Sequence, residues 1–338
     1  MPHTLNDESA RQNCVRPHFG ASALLLAATV LAHAGAWAQQ WPARPVRWIL
    51  PQPSGASVDI AARVLAGELA RVWGRQVVVD NRPGGQTVIA AQAAARAAAD
   101  GYNFFFATTA PLVVNPYTFK SLPYDPARDF VPVAKIGSAP FVIAVHPALP
   151  VQTFPELVAL ARSQPGKLAI ANQGARSLGG MISQALNVNA GIQLLQVPYN
   201  APAVAIQDTL SGRTQAVMLS VGVLTPFLKR GDLRPLAVTG ASRIAGLEQV
   251  PAVAETIKGF EYNGWYALLA PAGAPAAILR KINRDLDRVL ADPDIVHRLR
   301  EFGIYAEAAG TPEALGRFLQ DERQRWSRTV REIGIEPE

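Results

Sequence analysis

Residues 48–63 read WILPQPSGASVDIAAR, in which a short apolar run is followed by a loop of Pro, Ser and Gly and then by a helical pattern. The apolar run at 48–50 predicts a buried strand, and the spacing that follows predicts a helix from Ser57 with one face toward a sheet. The residues that set this spacing are Ala61, Val64, Leu65, Leu69 and Val72. Since the first N–H groups of a helix lack partners within it and lie at the positive end of its dipole, this turn predicts a site for an anion.

Two other interpretations of this turn stay open. Strand-to-helix turns in α/β proteins often look alike, and Ser57 or Asp59 is equally suited to capping the helix. Asp59 also disfavours a phosphate, because a charge in the first turn repels a dianion more than a monoanionic carboxylate. The loop has neither the GxGxxG pattern nor a Walker lysine, which disfavours nucleotide binding.

The first 38 residues have the features of a secretory signal. The apolar run ASALLLAATVLA at 21–32 is too short to span a bilayer, and Ala36 and Ala38 provide small residues before a cleavage site after Ala38. An uncleaved anchor is the alternative. Cleavage removes Cys14, the only cysteine, so we expect the mature chain to have no thiol, disulfide or Cys-ligated metal.

The charge and histidine content exclude several classes of function. The chain has 32 Lys and Arg against 26 Asp and Glu, a net charge of +6, but the basic residues are scattered among acidic ones, so we expect no nucleic-acid binding. After cleavage only His146 and His297 remain, which disfavours a His-based triad or a zinc site. Carboxylate metal sites stay open, and no cofactor is expected. The remaining length, about 300 residues, suffices for two domains.

A βαβ unit follows the opening stretch. Strands at 77–79 and 103–107, with a turn at 83–85 and an Ala-rich helix between them, predict a parallel sheet. Thr108 and Thr109 follow the second strand. Because ligands of open α/β sheets bind at the carboxyl ends of the strands, we expect these hydroxyls to face the same crevice as residues 54–57. Capping of the turn is the alternative for both threonines.

The second half of the chain repeats the same arrangement. After a loop at 124–130, we predict strands at 141–145, 168–171, 196–198, 216–219, 236–239 and 259–271, and helices at 154–163, 178–190, 203–210, 275–291, 293–302 and 312–333. The loop at 172–177 lies between a strand and a helix, as the first loop does. Two such loops, one per domain, would hold a small anion from both sides, and Arg176 would pair with its carboxylate unless it is solvent-exposed.

The candidate ligand-binding residues lie at the ends of these strands. They are Ser54, Gly55, Ala56, Ser57, Asp59, Thr108, Thr109, Asn172, Gly174, Ala175, Arg176, Ser177, Tyr199 and Ser220. Four apolar residues of the last helix, Leu315, Leu319, Trp326 and Val330, share one face and predict core packing.

Six short motifs follow one another along the chain. They are Pro51-Gln52-Pro53-Ser54-Gly55-Ala56-Ser57-Val58-Asp59 with Arg63, Val79-Asp80-Asn81-Arg82-Pro83-Gly84-Gly85, Asp100-Gly101-Tyr102, Tyr124-Asp125-Pro126 with Asp129-Phe130, Val197-Pro198-Tyr199 and Leu236-Ala237-Val238-Thr239. Each is weak alone, but their order and spacing extend over nearly the whole mature chain. Together they resemble the substrate-binding family of tripartite tricarboxylate transporters, the Bug-type periplasmic receptors.

This resemblance implies an α/β fold of the two-lobed periplasmic binding protein type (type II-like), each lobe a mixed, mainly parallel sheet flanked by helices. It implies a signal peptide at 1–38, a discontinuous domain 1 at 39–138 and 263–338, and a domain 2 at 139–262. The ligand would be a small mono- or dicarboxylate, including aromatic and amino acids, held by N–H groups and hydroxyls of the two loops. The expected protein is a periplasmic monomer that performs no chemistry and delivers its ligand to membrane permease subunits or to a sensor.

The chain departs from the family pattern at four places. Ser54-Gly55-Ala56 stands where Pro-Gly-Gly is usual, and Asn200-Ala201 stands where Lys-Gly is usual. Ala175-Arg176 replaces Asn-Gly, and Gly180 occupies a position where His is frequent. We interpret Arg176 as a replacement for the missing lysine.

Two rival functions come from other classes. A secreted hydrolase or lyase would use Ser54, Ser57 or Ser177 with Asp59, but neither histidine adjoins a small-residue loop and no Ser-x-x-Lys follows these serines. An adhesion module predicts a large exposed apolar patch, whereas the apolar residues here alternate along strand and helix faces.

Overall fold

The computed structural model describes residues 41–338, so the predicted signal peptide and Cys14 lie outside the described residues. The strands in this part of the chain are β1 (Val46–Leu50), β2 (Val77–Asn81), β3 (Asn103–Thr108), β4 (Phe130–Val145), β5 (Ala169–Asn172), β6 (Leu195–Pro198), β7 (Ala216–Ser220), β8 (Arg234–Val238), β9 (Asn263–Pro271) and β10 (Tyr305–Ala306). The α-helices are α1 (Ser57–Trp73), α2 (Val88–Ala95), α3 (Asn115–Thr118), α4 (Phe154–Ser163), α5 (Leu178–Ala190), α6 (Pro202–Leu210), α7 (Val221–Lys229), α8 (Ala276–Leu290), α9 (Pro293–Glu301) and α10 (Pro312–Glu332).

Lobe 1 is built on the sheet β2-β1-β3-β9-β4-β10. Strands β2, β1 and β3 run parallel, and β9 is antiparallel to β3 and β4. Phe104, Phe105 and Phe106 of β3 are all fully buried, as expected for a strand with helices on both faces of its sheet. Because β9 and β10 return from the far end of the sequence, this lobe is discontinuous.

Lobe 2 is built on the sheet β6-β5-β7-β4-β8. Strand β5 is parallel to β6 and β7, whereas β4 is antiparallel to β7 and β8. The long strand β4 belongs to both sheets: its pairing with β9 ends at Pro140, and its pairing with β7 begins at Phe141. The hinge, which we define as residues 138–141 of β4 and 263–266 of β9, therefore passes between the lobes. The predicted domain ranges 39–138, 139–262 and 263–338 stay predictions.

Most predicted elements are present within two or three residues, including the helices at 57, 154–163 and 178–190. Helix α1 buries Ala61, Leu65 and Leu69 and ends at Gly74 in the left-handed conformation. Val72 was wrongly assigned to its buried face, since the side chain is 60% exposed in the last turn. The predicted core stripe of α10 is confirmed, because Leu315, Leu319, Trp326 and Val330 are all buried.

Several elements differ from the sequence prediction: α3 and β10 were not predicted, and β9 begins at Asn263 rather than at 259. The loop prediction for 124–130 is wrong at Phe130, where β4 begins eleven residues before the predicted start at 141. Two register shifts against β9, near Pro132 and near Lys135, interrupt the alternation that identifies a strand. Helix α7 was not predicted, and it contains Pro226, a residue that usually argues against a helix interior.

Among residues 41–338, no helix combines the length and apolar character that crossing a membrane requires.

Candidate functional site

The first loop, residues 51–56, connects β1 to α1. Ala56 is the N-cap residue and provides no side-chain cap, so the capping interpretation is wrong for Ser57, the first helical residue. Gly55 has a φ of 86°, a conformation that glycine adopts without strain. The N–H groups of Ser57 and Val58 have no acceptor within residues 41–338. These amides are therefore available to an anion.

Asp59 fixes the shape of the first loop. The carboxyl group is almost fully buried and accepts from the N–H of Gly55 at 2.9 Å and from Nε of Arg63 at 2.9 Å. Nδ2 of Asn81 donates to the same carboxylate at 2.8 Å, and the Ser54 hydroxyl lies 3.4 Å from it. Burial alone would raise the pKa of Asp59, but these hydrogen bonds and the charge of Arg63 outweigh it and hold the pKa below its ordinary value. Its oxygens are thus engaged by the protein itself.

Asn81, at the end of β2, joins two neighbouring connections of lobe 1. Besides its bond to Asp59, Nδ2 donates to the carbonyl of Gln52 at 3.0 Å, and Oδ1 accepts from Arg63 at 3.0 Å. The first loop is thus fastened on both sides. Its amides are held in place before any ligand arrives.

The turn between β2 and α2 contains two strained residues. Gln86 and Thr87 have φ values of 49° and 76°, and they are the residues other than glycine with positive φ in the described part of the chain. The buried Asn115 donates from Nδ2 to the carbonyl of Gln86 at 2.9 Å. Such strain persists where surrounding contacts impose it and is frequent at ligand-binding sites. The turn at 83–85 was predicted from the sequence but the strain after it was not, because nothing in the sequence marks Gln86 or Thr87 as left-handed.

Glycine at position 86 should stabilise the protein. Because Gln86 is exposed, Gln86→Gly mainly relieves the backbone strain at this position. We therefore expect the free energy of unfolding, measured by urea denaturation, to rise by about 0.5–1 kcal/mol. The matched control is Gln320→Gly in α10, where an exposed glutamine in a regular helix should instead cost about 1 kcal/mol. Destabilisation by both substitutions would contradict the strain argument.

Thr108 and Thr109 have different surroundings at the end of β3. Thr108 is half-buried and pairs with Tyr266 of β9. Thr109 is buried, and its hydroxyl accepts from the N–H of Trp265 at 2.9 Å. Thr109 therefore joins β3 to the hinge, so the alternative that it caps the turn is wrong.

The second loop, residues 172–177, is fixed by its own side chains. Asn172 is buried; Oδ1 accepts from the N–H of Gly174 at 3.0 Å, and Nδ2 donates to Gln196 at 2.9 Å. Ser177 is the N-cap residue of α5, because its hydroxyl accepts from the N–H of Gly180 at 3.0 Å and donates to the carbonyl of Gly174 at 2.8 Å. The side chains of Asn172 and Ser177 thus hold the loop in one conformation.

The main chain of the second loop provides hydrogen-bond donors of the same kind as the first. The N–H groups of Ala175, Leu178 and Gly179 have no acceptor among residues 41–338. The carbonyl of Ala175 accepts from Gln184 at 2.7 Å, which restrains the peptide from α5. Each lobe therefore presents main-chain donors on a rigid loop at a helix N-terminus.

Arg176 is engaged by lobe 1. Its guanidinium donates to the carbonyls of Thr118 at 3.3 Å and Glu336 at 2.9 Å. The side chain is 29% exposed, so the solvent-exposed alternative does not hold. Each guanidinium nitrogen of Arg176 has an acceptor in lobe 1, and its pairing with a ligand carboxylate stays a prediction.

Tyr199 and Ser220 are the remaining predicted residues. The hydroxyl of Tyr199 donates to Asp208 of α6 at 2.7 Å, and burial together with this carboxylate raises the pKa of Tyr199 to about 12. Ser220 ends β7 opposite Phe141 of the hinge, and its hydroxyl has no hydrogen-bond partner in the described chain. Ser220 is thus the freer of the two hydroxyls.

The strand ends of both lobes adjoin the same part of the hinge. A Cβ added at Gly179 would lie 2.8 Å from the Phe141 ring, and one added at Gly264 would lie 3.6 Å from Leu178. The first turn of α5 therefore packs on β4 and β9 where they pass between the lobes. Trp265, the residue after Gly264, bonds to the end of β3, which is adjacent to β1. The connections that follow β3 and β5 thus both adjoin the hinge, and β1 lies beside β3 in the sheet.

A separate cavity of about 240 Å³ lies beside the hinge. It is lined by residues of β4, β9, α10 and the segment after β8, and by neither predicted loop. Its charged groups are paired with one another: Lys135 with Glu307 at 2.7 Å, and Glu322 with Arg325 at 3.5 Å. Burial raises the pKa of Glu322, which accepts from the indole N–H of Trp265. Because these cations already have partners, the cavity is less suited to a carboxylate than the loops are.

The histidines do not adjoin the candidate serines in a catalytic arrangement. Nδ1 of His146 accepts from the N–H of Ala148, and His297 lies in α9 near Glu301 at 3.8 Å. Within residues 41–338, no group of three His, Cys, Asp or Glu side chains is arranged to hold a metal ion.

Comparisons with known proteins agree with this geometry. The "Tripartite tricarboxylate transporter family receptor" model matches residues 61–335. A protein of Bordetella bronchiseptica from the UPF0065 group is 36% identical over 319 residues, which cover 94% of each chain.

Two solved structures are similar over their whole length. Rpa4515 of R. palustris with adipate is 32% identical with a TM-score of 0.78, and covers 88% of this chain and 100% of its own. MatC from Rhodopseudomonas palustris with bound malate is 26% identical with a TM-score of 0.71, and covers 86% of this chain and 100% of its own. The two-lobed fold predicted from the sequence is therefore confirmed, and the chain belongs to the tripartite tricarboxylate transporter receptor family of solute-binding proteins.

Proposed function

We propose that this receptor captures a small mono- or dicarboxylate between its lobes in the periplasm and delivers it to the permease of a tripartite tricarboxylate transporter. The observation that supports this most is the pair of rigid loops, 51–56 and 172–177, each next to amides at a helix N-terminus that have no acceptor among residues 41–338. Main-chain N–H groups at such sites favour anions, and the charge of Asp59 in the first turn favours a carboxylate over a phosphate. The adipate and malate in the two similar structures are ligands of the same class.

Energetic considerations require both loops. Three hydrogen bonds to a charged group contribute roughly 1.5–3 kcal/mol each, or about 5–9 kcal/mol before association costs. Micromolar affinity needs about 8 kcal/mol after those costs. One loop is therefore insufficient. In the proposal, closure brings the second set of amides onto the ligand and excludes water.

The side chains that a hydrolase would use in these loops are already engaged by the protein. The hydroxyl of Ser177 is committed to the loop and the cap of α5, and Asp59 is committed to Gly55, Arg63 and Asn81. Neither residue is positioned as an activated nucleophile with its base. A sensor that reports the ligand to a signalling system would use the same site and is distinguished by its membrane partner alone.

A thermal-shift panel tests the proposal. The panel contains adipate, malate, aromatic monocarboxylates and amino acids, and for each hit the corresponding uncharged amide. At 100 times Kd, a ligand that binds only the folded form adds about 2.7 kcal/mol of stability, so we expect the melting temperature to rise by roughly 3–8 °C. The amides should give no shift, because they lack the anion that the loops bind.

Calorimetry should then give one site per chain, and the acid should be recovered unchanged. The proposal fails if no acid in the panel shifts the melting temperature and native mass spectrometry finds no acid on protein isolated from its host. Chemical conversion of the bound acid would instead support an enzyme.

A further inference from the structure

Arg176 makes three contacts from the second loop to lobe 1. Its terminal nitrogens donate to the carbonyls of Thr118 and Glu336 at 3.3 and 2.9 Å, and Nε lies 3.3 Å from the carboxylate of Glu338. All three guanidinium nitrogens are thus used. The planar guanidinium of an arginine is suited to contacting three separate acceptors at once, whereas the ammonium group of a lysine is not.

The acceptors are firmly attached to lobe 1. We call residues 334–338 the tail segment. The N–H of Glu338 donates to the carbonyl of Thr118 at 3.1 Å, and the N–H of Lys120 donates to the carbonyl of Glu338 at 2.9 Å. The N–H of Ile335 donates to the carbonyl of Val330 in α10 at 3.1 Å. The tail segment therefore moves with α10 and the segment after β3.

The donor is equally well attached to the second loop. Its neighbours Ala175 and Ser177 are hydrogen-bonded to α5 and to Gly174, so the loop cannot shift independently of Arg176 at low cost. Separation of the lobes at this loop would break all three contacts of Arg176. Partial burial, with 29% of the side chain exposed, limits screening of these contacts by solvent.

We propose that Arg176 is a positioning residue that latches the second loop to the tail segment and so favours the closed arrangement before a ligand binds. The apparent affinity of a ligand is proportional to the fraction of receptor in the binding-competent state. Because the latch raises that fraction, less of the binding free energy is spent on closure. The effect on affinity rests on the proposed function. The effect on closure does not.

Distances between the lobes test the latch without any ligand. Cys14, the only native cysteine, is replaced by serine, and spin labels are attached at Val72→Cys in α1 and Val204→Cys in α6, both exposed positions. In pulsed electron resonance the parent should give a single distance population, and Arg176→Ala should add a second one that the parent lacks. The matched control is Arg230→Ala, which removes an exposed cation paired with Asp232 inside lobe 2. Its distances should equal those of the parent.

Partner substitutions and affinity give further readouts. Glu338→Gln and Arg176→Lys should each give an intermediate distance distribution, and Glu338→Gln should add little to Arg176→Ala because the contact is already lost. Calorimetry with adipate and malate as probes should give a Kd about 3–10-fold higher for Arg176→Ala than for the control.

The outcomes separate this inference from the proposed function. A higher Kd in Arg176→Ala with unchanged ligand-free distances would mean that Arg176 contacts the ligand directly, and would overturn the latch. Unchanged distances and unchanged Kd in a folded variant would overturn it as well. A second distance population in Arg176→Ala of a receptor that binds no carboxylate would support the latch and contradict the proposed function.

Discussion

Asp59→Asn is expected to destabilise the protein by about 2–3 kcal/mol and to raise the Kd for a carboxylate at least tenfold. The buried carboxylate accepts from a main-chain N–H, from Arg63 and from Asn81, and hydrogen bonds to a charged group contribute roughly 1.5–3 kcal/mol each. Asparagine has a similar shape but brings an NH₂ group toward these donors. Urea denaturation and calorimetry measure the two effects.

The control for lost charge is Asp232→Asn. Asp232 is paired with Arg230 on the surface, and the two side chains are 35% and 56% exposed, so the change should be below about 0.5 kcal/mol. Equal effects of the two substitutions would show that the Asp59 network does not organise the first loop. A destabilised Asp59→Asn with unchanged Kd would show that the loop geometry is not needed for binding.

The pH dependence follows from the same contacts. The pKa of Asp59 lies below its ordinary value of 3.8, so its contribution to stability is complete above about pH 3.8 and is lost as the pH falls through the lower, folded-state pKa. The stability difference between wild type and Asp59→Asn should therefore be constant near neutrality and shrink in acid. A difference that grew on acidification would contradict this assignment.

Much of the fold follows from local sequence signals. Thr153-Phe154-Pro155-Glu156 contains a cap, a proline in the first turn and an acidic residue, and α4 begins there as predicted. The apolar face of α10 was equally clear, since its residues recur at helical spacing. The first half of β4 could not be recognised in the same way, because its register shifts and prolines interrupt the alternation of apolar and polar residues. Its strand character depends instead on pairing with β9, more than a hundred residues away.

The candidate site could be predicted only in part for a related reason. The two loops are recognisable because small residues between a strand and a helix are a local pattern. The partners that fix them are distant: Asn81 lies 22 residues from Asp59, and Glu336 lies 160 residues from Arg176. A sequence pattern identifies Arg176 but not the carbonyl groups that accept its hydrogen bonds. The strain at Gln86 and Thr87 is likewise imposed from Asn115.

Gly180→Ala is expected to damage the second loop more than any surface substitution. A Cβ at position 180 would lie 1.9 Å from the carbonyl oxygen of Gly174 and 3.2 Å from Oδ1 of Asn172. The nearest atom is main chain, so relief requires movement of the loop rather than of a side chain. Helix propensity favours alanine by about 0.5–1 kcal/mol, but steric overlap of this kind costs more, and we expect a net loss of about 1–3 kcal/mol. Because the displaced carbonyl belongs to the loop that offers the amides, the Kd should rise at least about thirtyfold, which is roughly 2 kcal/mol of binding free energy.

Gly67→Ala is the matched control for Gly180→Ala. Gly67 lies in the middle of α1, and a Cβ there would meet nothing within 4 Å, so the same substitution should add about 0.5–1 kcal/mol of stability and leave the Kd unchanged. Opposite signs in urea denaturation would identify the contact with Gly174 as the cause, since helix propensity acts in the same direction at both positions. If Gly180→Ala were instead as stable as Gly67→Ala and bound carboxylates normally, the second loop would not need the conformation described here, and closure of that loop on the ligand would lose its structural basis.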